Sequence, residues 1–312
     1  MRPRESKLNT VRGNKRLEVK RKFILAFEGY RTEAQYFKGV GDNRSKLRIP
    51  SLIEICPLDR YPIQSGSSDP GRILDLLEEY LIFLDCGKYP VDLFINAFIA
   101  DVIPEKDILG VKDKIDKFTV KAKKMLQTLC DGNDLICDPD KAKETCSEIY
   151  CGVFDRPEKV HFDVPEPIDY RKERDIVCVI VDRDAESRDS AKCSEFFSRC
   201  QKNAFRPYMT NPCFEMWLLL HFDEVLGEDK KVLRRNEKIG DVRYTERRLD
   251  GILRSYPANS GYRKDDLDFD CFMHRVDNAI KNEKRFCCEI KCIKNEVGSN
   301  IGALIDEMRH KN

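Results

Sequence analysis

The hydrophobic pattern divides this chain into short continuous apolar runs and longer amphipathic stretches. Phe23-Ile24-Leu25-Ala26-Phe27 is unbroken and ends in Glu28-Gly29, which predicts a buried strand followed by a turn. Ala34 and Phe37 fall three apart in the next segment, so a helix is expected within a few residues of that strand. Residues 51–56 read as a second strand. Residues 70–84 read as an amphipathic helix with Pro70 near its first position. Ile176-Val177-Cys178-Val179-Ile180-Val181 is a second unbroken run, of the kind found in central parallel strands, and it ends in Asp182-Arg183-Asp184. A helix is expected over 190–202, a short strand over 205–209, and a very apolar helix over 213–222 with Asn211 as N-cap and Pro212 at the first helical position. Strand–helix–strand–helix order predicts an α/β fold with a parallel sheet.

The rhythm breaks between about 88 and 170. That stretch holds loosely spaced cysteines, a lysine-rich segment from Lys112 to Lys124, and Pro157, Pro165 and Pro167. We read five segments: a flexible basic arm over 1–22, a first part of the sheet domain over 23–87, an insertion of helical character over 88–170, a second part of the sheet domain over 171–225, and a mainly helical region over 226–312. Nothing in the pattern assigns the insertion a task. The arm carries nine basic residues against Glu5 and Glu18, a composition suited to contact with phosphate or simply to solubility.

Composition narrows the class. The chain has 312 residues, 41% hydrophobic and 36% charged, with a net charge of +1, so the whole-chain balance points to no partner. No run approaches the ~20 apolar residues of a membrane span, and no apolar leader follows the basic start, so a cytoplasmic protein is expected. The fourteen cysteines are then expected to be reduced thiols. Cys130, Cys137, Cys146 and Cys151 cluster without a CxxC pair, and Cys287, Cys288 and Cys292 form a weaker group; the loose spacing argues against structural zinc.

The candidate chemistry lies at strand ends. Glu28 ends the first strand, and Asp182 and Asp184 end the later one. In open α/β sheets functional groups gather at the carboxyl edge. If the two strands are neighbours, three carboxylates converge there. Crowded carboxylates are stable as anions only with a cation between them, and hard oxygen donors suit magnesium or manganese. Glu33, five residues on, is either a further ligand or a helix-start acid. Glu215 is the one charge in the apolar segment 212–222, either a buried site carboxylate or an acid favoured by the helix dipole. His221 reads as a helix-end cap and Trp217 as core. Lys264, after Tyr262-Arg263, is a candidate to neutralise a phosphate. Basic residues outnumber acids between Glu228 and Lys264. Arg234, Arg235, Arg263 and Lys264, with Arg31 near the first strand, form either a phosphate-tracking surface or a solvated face.

Glu28-Gly29 and the later Asp-x-Asp resemble the Toprim domain of topoisomerases, primases and OLD-type nucleases. The stretch from Glu28 to Phe37 resembles the EGxxTExxYF opening of RloB-like proteins. The stretch from Asn211 to Phe222 resembles their NPCFExWLLLHF segment. Tyr256 to Lys264 and Asn295 to Asn300 resemble the family's weaker closing motifs. The likeness covers about 23–84 and 172–310. The chain departs from the pattern in between, since 154 positions separate Glu28 from Asp182, about 85 more than expected. The resemblance implies a Toprim-like parallel sheet flanked by helices. It also implies a magnesium-dependent phosphoryl-transfer site in which Glu28, Asp182 and Asp184 hold metal, and a role in phage defence, often beside an ATPase partner. It leaves DNA or transfer RNA open as substrate, and a homo-oligomer open as assembly.

Three functions compete. The first is a metal-dependent Toprim-type nuclease. The second is a silent nucleic-acid- or partner-binding subunit of a defence complex. The third is an α/β enzyme acting on small phosphates; that class typically wants a nucleophilic Asp after the first strand, where this chain has Glu28. No GxxxxGK[ST] loop occurs, which argues against ATP hydrolysis by this chain itself.

Overall fold

A computed structural model describes residues 2–3, 21–29, 31–59, 70–104, 107–162, 168, 170–183, 190–256 and 261–310. The residues form two compact units. Asp184 and most of the basic arm lie outside the described residues.

The first unit comprises residues 1–3, 59–68 and 72–171. It takes in β1 (Arg2–Pro3), nearly all of α2 (Pro70–Cys86), α3 (Val91–Val102), α4 (Lys112–Leu126) and α5 (Pro139–Phe154). These helices share an aromatic core. Phe98 stacks on Phe118 at 5.4 Å, and Phe98 meets Tyr150 and Phe162 edge-on. Local chemistry frames α5: the Asp138 side chain accepts from Lys141 N–H, Pro139 takes the first turn, and Asp155 ends the helix in the left-handed region. The lysine-rich stretch is amphipathic α4, which buries Ile115, Phe118, Ala122 and Leu126 and turns its lysines outward.

The second unit comprises residues 4–58, 69–71 and 172–312. It holds β2 (Arg21–Phe27), α1 (Thr32–Asp42), β3 (Ile53–Asp59), β4 (Ile176–Asp182), α6 (Ser190–Lys202), β5 (Arg206–Asn211) and α7 (Phe214–Leu219). These are followed by α8 (Lys230–Arg235), a hairpin of β6 (Lys238–Ile239) and β7 (Val242–Arg243), α9 (Tyr244–Arg254), α10 (Asp270–Met273), α11 (Val276–Glu283), α12 (Ile290–Ile293), β8 (Gly298–Ser299) and α13 (Ile301–His310). The sheet runs β3–β2–β4–β5–β8. β3, β2, β4 and β5 are parallel, and β8 is antiparallel to β5. The α/β class read from the apolar runs is therefore the observed one.

Both faces of the central strands are buried, as their unbroken hydrophobicity requires. Phe23, Leu25 and Phe27 of β2, with Cys178 and Ile180 of β4, face a core completed by Tyr36, Phe37, Phe214, Trp217 and helices α9, α10, α11 and α13. Tyr36 lies at its centre, edge-on to Phe214, Trp217 and Phe269.

Several local expectations shift. β2 starts at Arg21, so Arg21 and Lys22 belong to the sheet rather than to an arm. Lys22 is buried, and its N–H bonds to Asp175 at 2.9 Å. Asn211 is not an N-cap. It is the last residue of β5, precedes a cis bond to Pro212, and its amide donates to Ile293 O at 2.6 Å. Helix α7 begins at Phe214, with Cys213 as the residue before it. A strand continuing through 211 carries the chain past the position where local capping chemistry would have started the helix.

His221 is fully buried and bonds Tyr36 Oη at 3.1 Å and Trp217 O at 3.0 Å. Burial pulls its pKa down to about 3, so it is a neutral core group and not a charged cap. Cys287 and Cys292 are joined as a disulfide, against the expectation of reduced thiols; the other twelve cysteines are not in disulfides. No helix among the described residues is long and apolar enough to cross a membrane.

Candidate acidic site at the carboxyl edge of the sheet

Strand order creates the site. From β2 the chain crosses to β3 on one side, then returns to place β4 on the other. The carboxyl ends of β2 and β4 therefore flank the point where the winding reverses, the place where open α/β sheets bind ligands. Phe27 pairs with Ile180, and the next residue, Glu28, donates its N–H to Ile180 O at 2.9 Å. Glu28 Oε2 accepts the N–H of Asp182 at 2.9 Å. Two acids 154 positions apart in sequence thus meet through one hydrogen bond.

The neighbouring strand supports Asp182. Thr210, opposite Asp182 on β5, donates its hydroxyl to Asp182 Oδ1 at 2.5 Å, and its carbonyl accepts from Arg183 N–H at 2.7 Å. Glu33 enters from the first turn of α1, where no side chain caps the helix. A Cβ on Gly29 would fall 1.9 Å from Glu33 Oε1, so glycine leaves the room into which the Glu33 carboxylate folds over the strand-end turn. Glu215 enters from the first turn of α7. Glu28, Glu33 and Glu215 are all buried, at 5–6% exposure.

Burying this much like charge is costly, and Asp182 registers it. Its carboxyl is pushed well above the usual range, first by burial, then by Glu33 and Glu28, with a smaller push from Glu215; the Thr210 hydroxyl works in the opposite direction. The acids are near enough for Asp182 to feel each charge. Even so, among the described residues no three Asp, Glu, His or Cys side chains close into a metal-binding set. The donors are hard carboxylate oxygens of the kind that suit magnesium or manganese, so their chemistry fits such an ion. As placed, Glu28, Glu33 and Asp182 bring donors of that kind to one edge without closing into such a set.

A cationic arm reaches this cluster. Lys264 Nζ lies 3.4 Å from Glu215 Oε1 and 2.8 Å from Glu246 Oε1. Burial lowers the Lys264 pKa, but Glu215 and Glu246 outweigh it, and the net shift is upward. The side chain remains half-exposed. Tyr262 donates its hydroxyl to Glu215 Oε1 at 2.8 Å.

The structure thus brings together Glu28, Glu33, Asp182, Glu215 and Lys264. Arg31, expected to meet nucleic acid, pairs with Asp265 at 2.5 Å, and Arg263 is exposed on the segment that carries Lys264. Arg234 and Arg235 lie exposed on α8. Asp184 lies outside the described residues. Three residues escaped the sequence reading: Thr210, Glu246 and Tyr262. Only Tyr262 carried a signal, its place two residues before Lys264.

The model of the family described as RloB-like protein matches residues 23–308. No curated protein and no solved structure matches the chain.

Proposed function

The chain belongs to the RloB-like protein family, and from that premise we propose that it is a metal-dependent nuclease of Toprim type, cutting phosphodiester bonds in DNA or transfer RNA. The observation that carries this reading is the meeting of Glu28 and Asp182 at the switch point of a parallel sheet, with Glu33 and Glu215 adding charge that raises the Asp182 pKa. Glu28, Glu33, Asp182 and Asp184 would hold magnesium, with manganese as a substitute. When bound, the ion supplies charge neutralisation at the phosphodiester and a more acidic water.

The chain's own groups do the rest. Thr210 holds one Asp182 oxygen and Glu28 accepts the Asp182 N–H, which fixes the strand-end geometry before any ligand arrives. Lys264, poised at the rim between Glu215 and Glu246, offsets negative charge that develops on the phosphate. The resemblance adds a place in anti-phage defence beside an ATPase partner; the cytoplasm is the compartment expected from the apolar pattern.

The test is cleavage of end-labelled DNA and transfer RNA with magnesium, with manganese and with chelator. Wild type should cut one of them only with metal. Asp182→Asn should slow cutting by a hundredfold or more, about 2.7 kcal/mol of barrier, with an unchanged circular dichroism spectrum. Undiminished cutting by Asp182→Asn would remove the assignment. The second reading, a silent binding subunit, draws on the absence of a closed three-donor set among the described residues. Nucleic acid bound but never cut, with either metal, would favour it.

A further inference from the structure

The segment that carries Lys264 has little regular structure of its own, since residues 261–269 contain no helix or strand. It is held instead by side chains from elsewhere. The Lys264 carbonyl accepts from Thr32 Oγ1 at 3.3 Å and from Gln35 Nε2 at 3.1 Å, and Gln35 Oε1 accepts Leu267 N–H at 2.7 Å. Arg31 pairs with Asp265. All three of these anchors lie at the start of α1, within seven residues of Glu28. On the other side, Tyr262 N–H donates to Asp250 Oδ1 at 2.9 Å on α9.

Tyr262 joins these anchors to the acidic cluster. Its hydroxyl donates to Glu215 Oε1 at 2.8 Å and lies 3.4 Å from Thr32 Oγ1. The same Glu215 oxygen is the one that faces Lys264 Nζ at 3.4 Å. Tyr262 and Lys264 therefore converge on one carboxylate atom, while the Lys264 backbone is fastened to the threonine beside the Tyr262 hydroxyl. Burial and the adjacent Glu215 hold the Tyr262 pKa far above its ordinary value, so the hydroxyl remains a donor at any working pH.

We propose that Tyr262 is a positioning residue: by tying Glu215 to the loop and to Thr32, it sets the Lys264 ammonium at the rim of the acidic cluster, where a nucleic-acid phosphate is received. This rests on the proposed nucleic-acid reading and adds to it the group that aims the phosphate-binding cation. Without the hydroxyl, the ring still fills its place, but Glu215 loses a fixed donor and the loop loses the link between Glu215 and Thr32. Lys264 then samples positions away from the phosphate path.

The experiment measures binding of a fluorescein-labelled single-stranded RNA and of a DNA duplex by anisotropy, in chelator, over a range of salt. The proteins are wild type, Lys264→Ala, Tyr262→Phe, the double variant, and Thr32→Val, which removes one of the three α1 anchors and leaves Tyr262 in place. Lys264→Ala should lower the slope of log K against log salt by about one unit, the signature of one lost phosphate contact. Tyr262→Phe should lower it by a similar amount, Thr32→Val in the same direction, and the double variant should be no weaker than Lys264→Ala alone. Melting temperatures are followed in parallel.

A wild-type slope for Tyr262→Phe overturns the inference, as does a loss that adds in full to that of Lys264→Ala. The readout is binding, so it separates from the nuclease reading. Wild type that binds without cutting sinks the nuclease alone and leaves this cycle decisive. Wild type that binds neither nucleic acid overturns both.

Discussion

Glu283 shows how a single buried residue translates into pH dependence. It lies on α11 at 4% exposure and accepts Gly302 N–H at 3.0 Å. Burial pushes its pKa from 4.5 up to about 7, against the Gly302 N–H and the Ser299 hydroxyl, which lower it. A carboxyl whose folded pKa is raised contributes stability fully below its unfolded pKa and loses it as pH rises through the folded value. The contribution should therefore fade between about pH 4.5 and 7, by about 3 kcal/mol in all. Urea unfolding of wild type and Glu283→Gln at pH 5, 6, 7 and 8 measures it: the difference between them should shrink or reverse as pH rises, and a constant difference would reject the assignment. At this same scale the sequence was most and least informative. Glu28 and Asp182 stood out because each ends an unbroken apolar run. Thr210 did not, because a hydroxyl inside a half-polar strand is unremarkable until Asp182 is known to lie opposite it.

At the scale of elements, amphipathic period is a strong guide where packing uses one face. Helix α4 was visible only as a lysine-rich stretch, yet its Ile115, Phe118, Ala122 and Leu126 follow helical spacing, and all four are buried. Phe118 lies between Phe98, stacked at 5.4 Å, and Tyr150, edge-on at 6.3 Å. Phe118→Ala should cost about 3–5 kcal/mol, transfer and cavity terms together. Hydrogen exchange should show the loss as faster exchange of the α3, α4 and α5 amides; unchanged protection there would contradict the packing account. Element ends were less legible. Asn211-Pro212 carries the residue types of a helix start, but the pairing of Asn211 with Gly298 extends the strand through 211 and moves the helix start to Phe214. Tertiary pairing outweighs a capping preference of about 1 kcal/mol.

For the whole molecule, the net charge of +1 conceals a local excess of negative charge at the carboxyl edge of the sheet. A ligand that binds only the folded state stabilises it by mass action, about 2.7 kcal/mol at a hundredfold excess over Kd. Magnesium or manganese should therefore raise the melting temperature of wild type, and of Asp182→Asn far less. Equal shifts in the two proteins would place the ion elsewhere. The α/β class, the buried central strands and the acids at their ends were determined by the sequence alone, because strand period and strand termination are local properties of neighbouring residues. Which strands become neighbours, and which distant loop returns to the edge they form, was decided only in three dimensions. Glu28 meets Asp182 because β2 and β4 pair, and Tyr262 reaches Glu215 because α1 and α9 fasten the loop between them. No local pattern encodes contacts between residues so far apart in the chain; they follow from the strand pairing that buries both faces of the sheet.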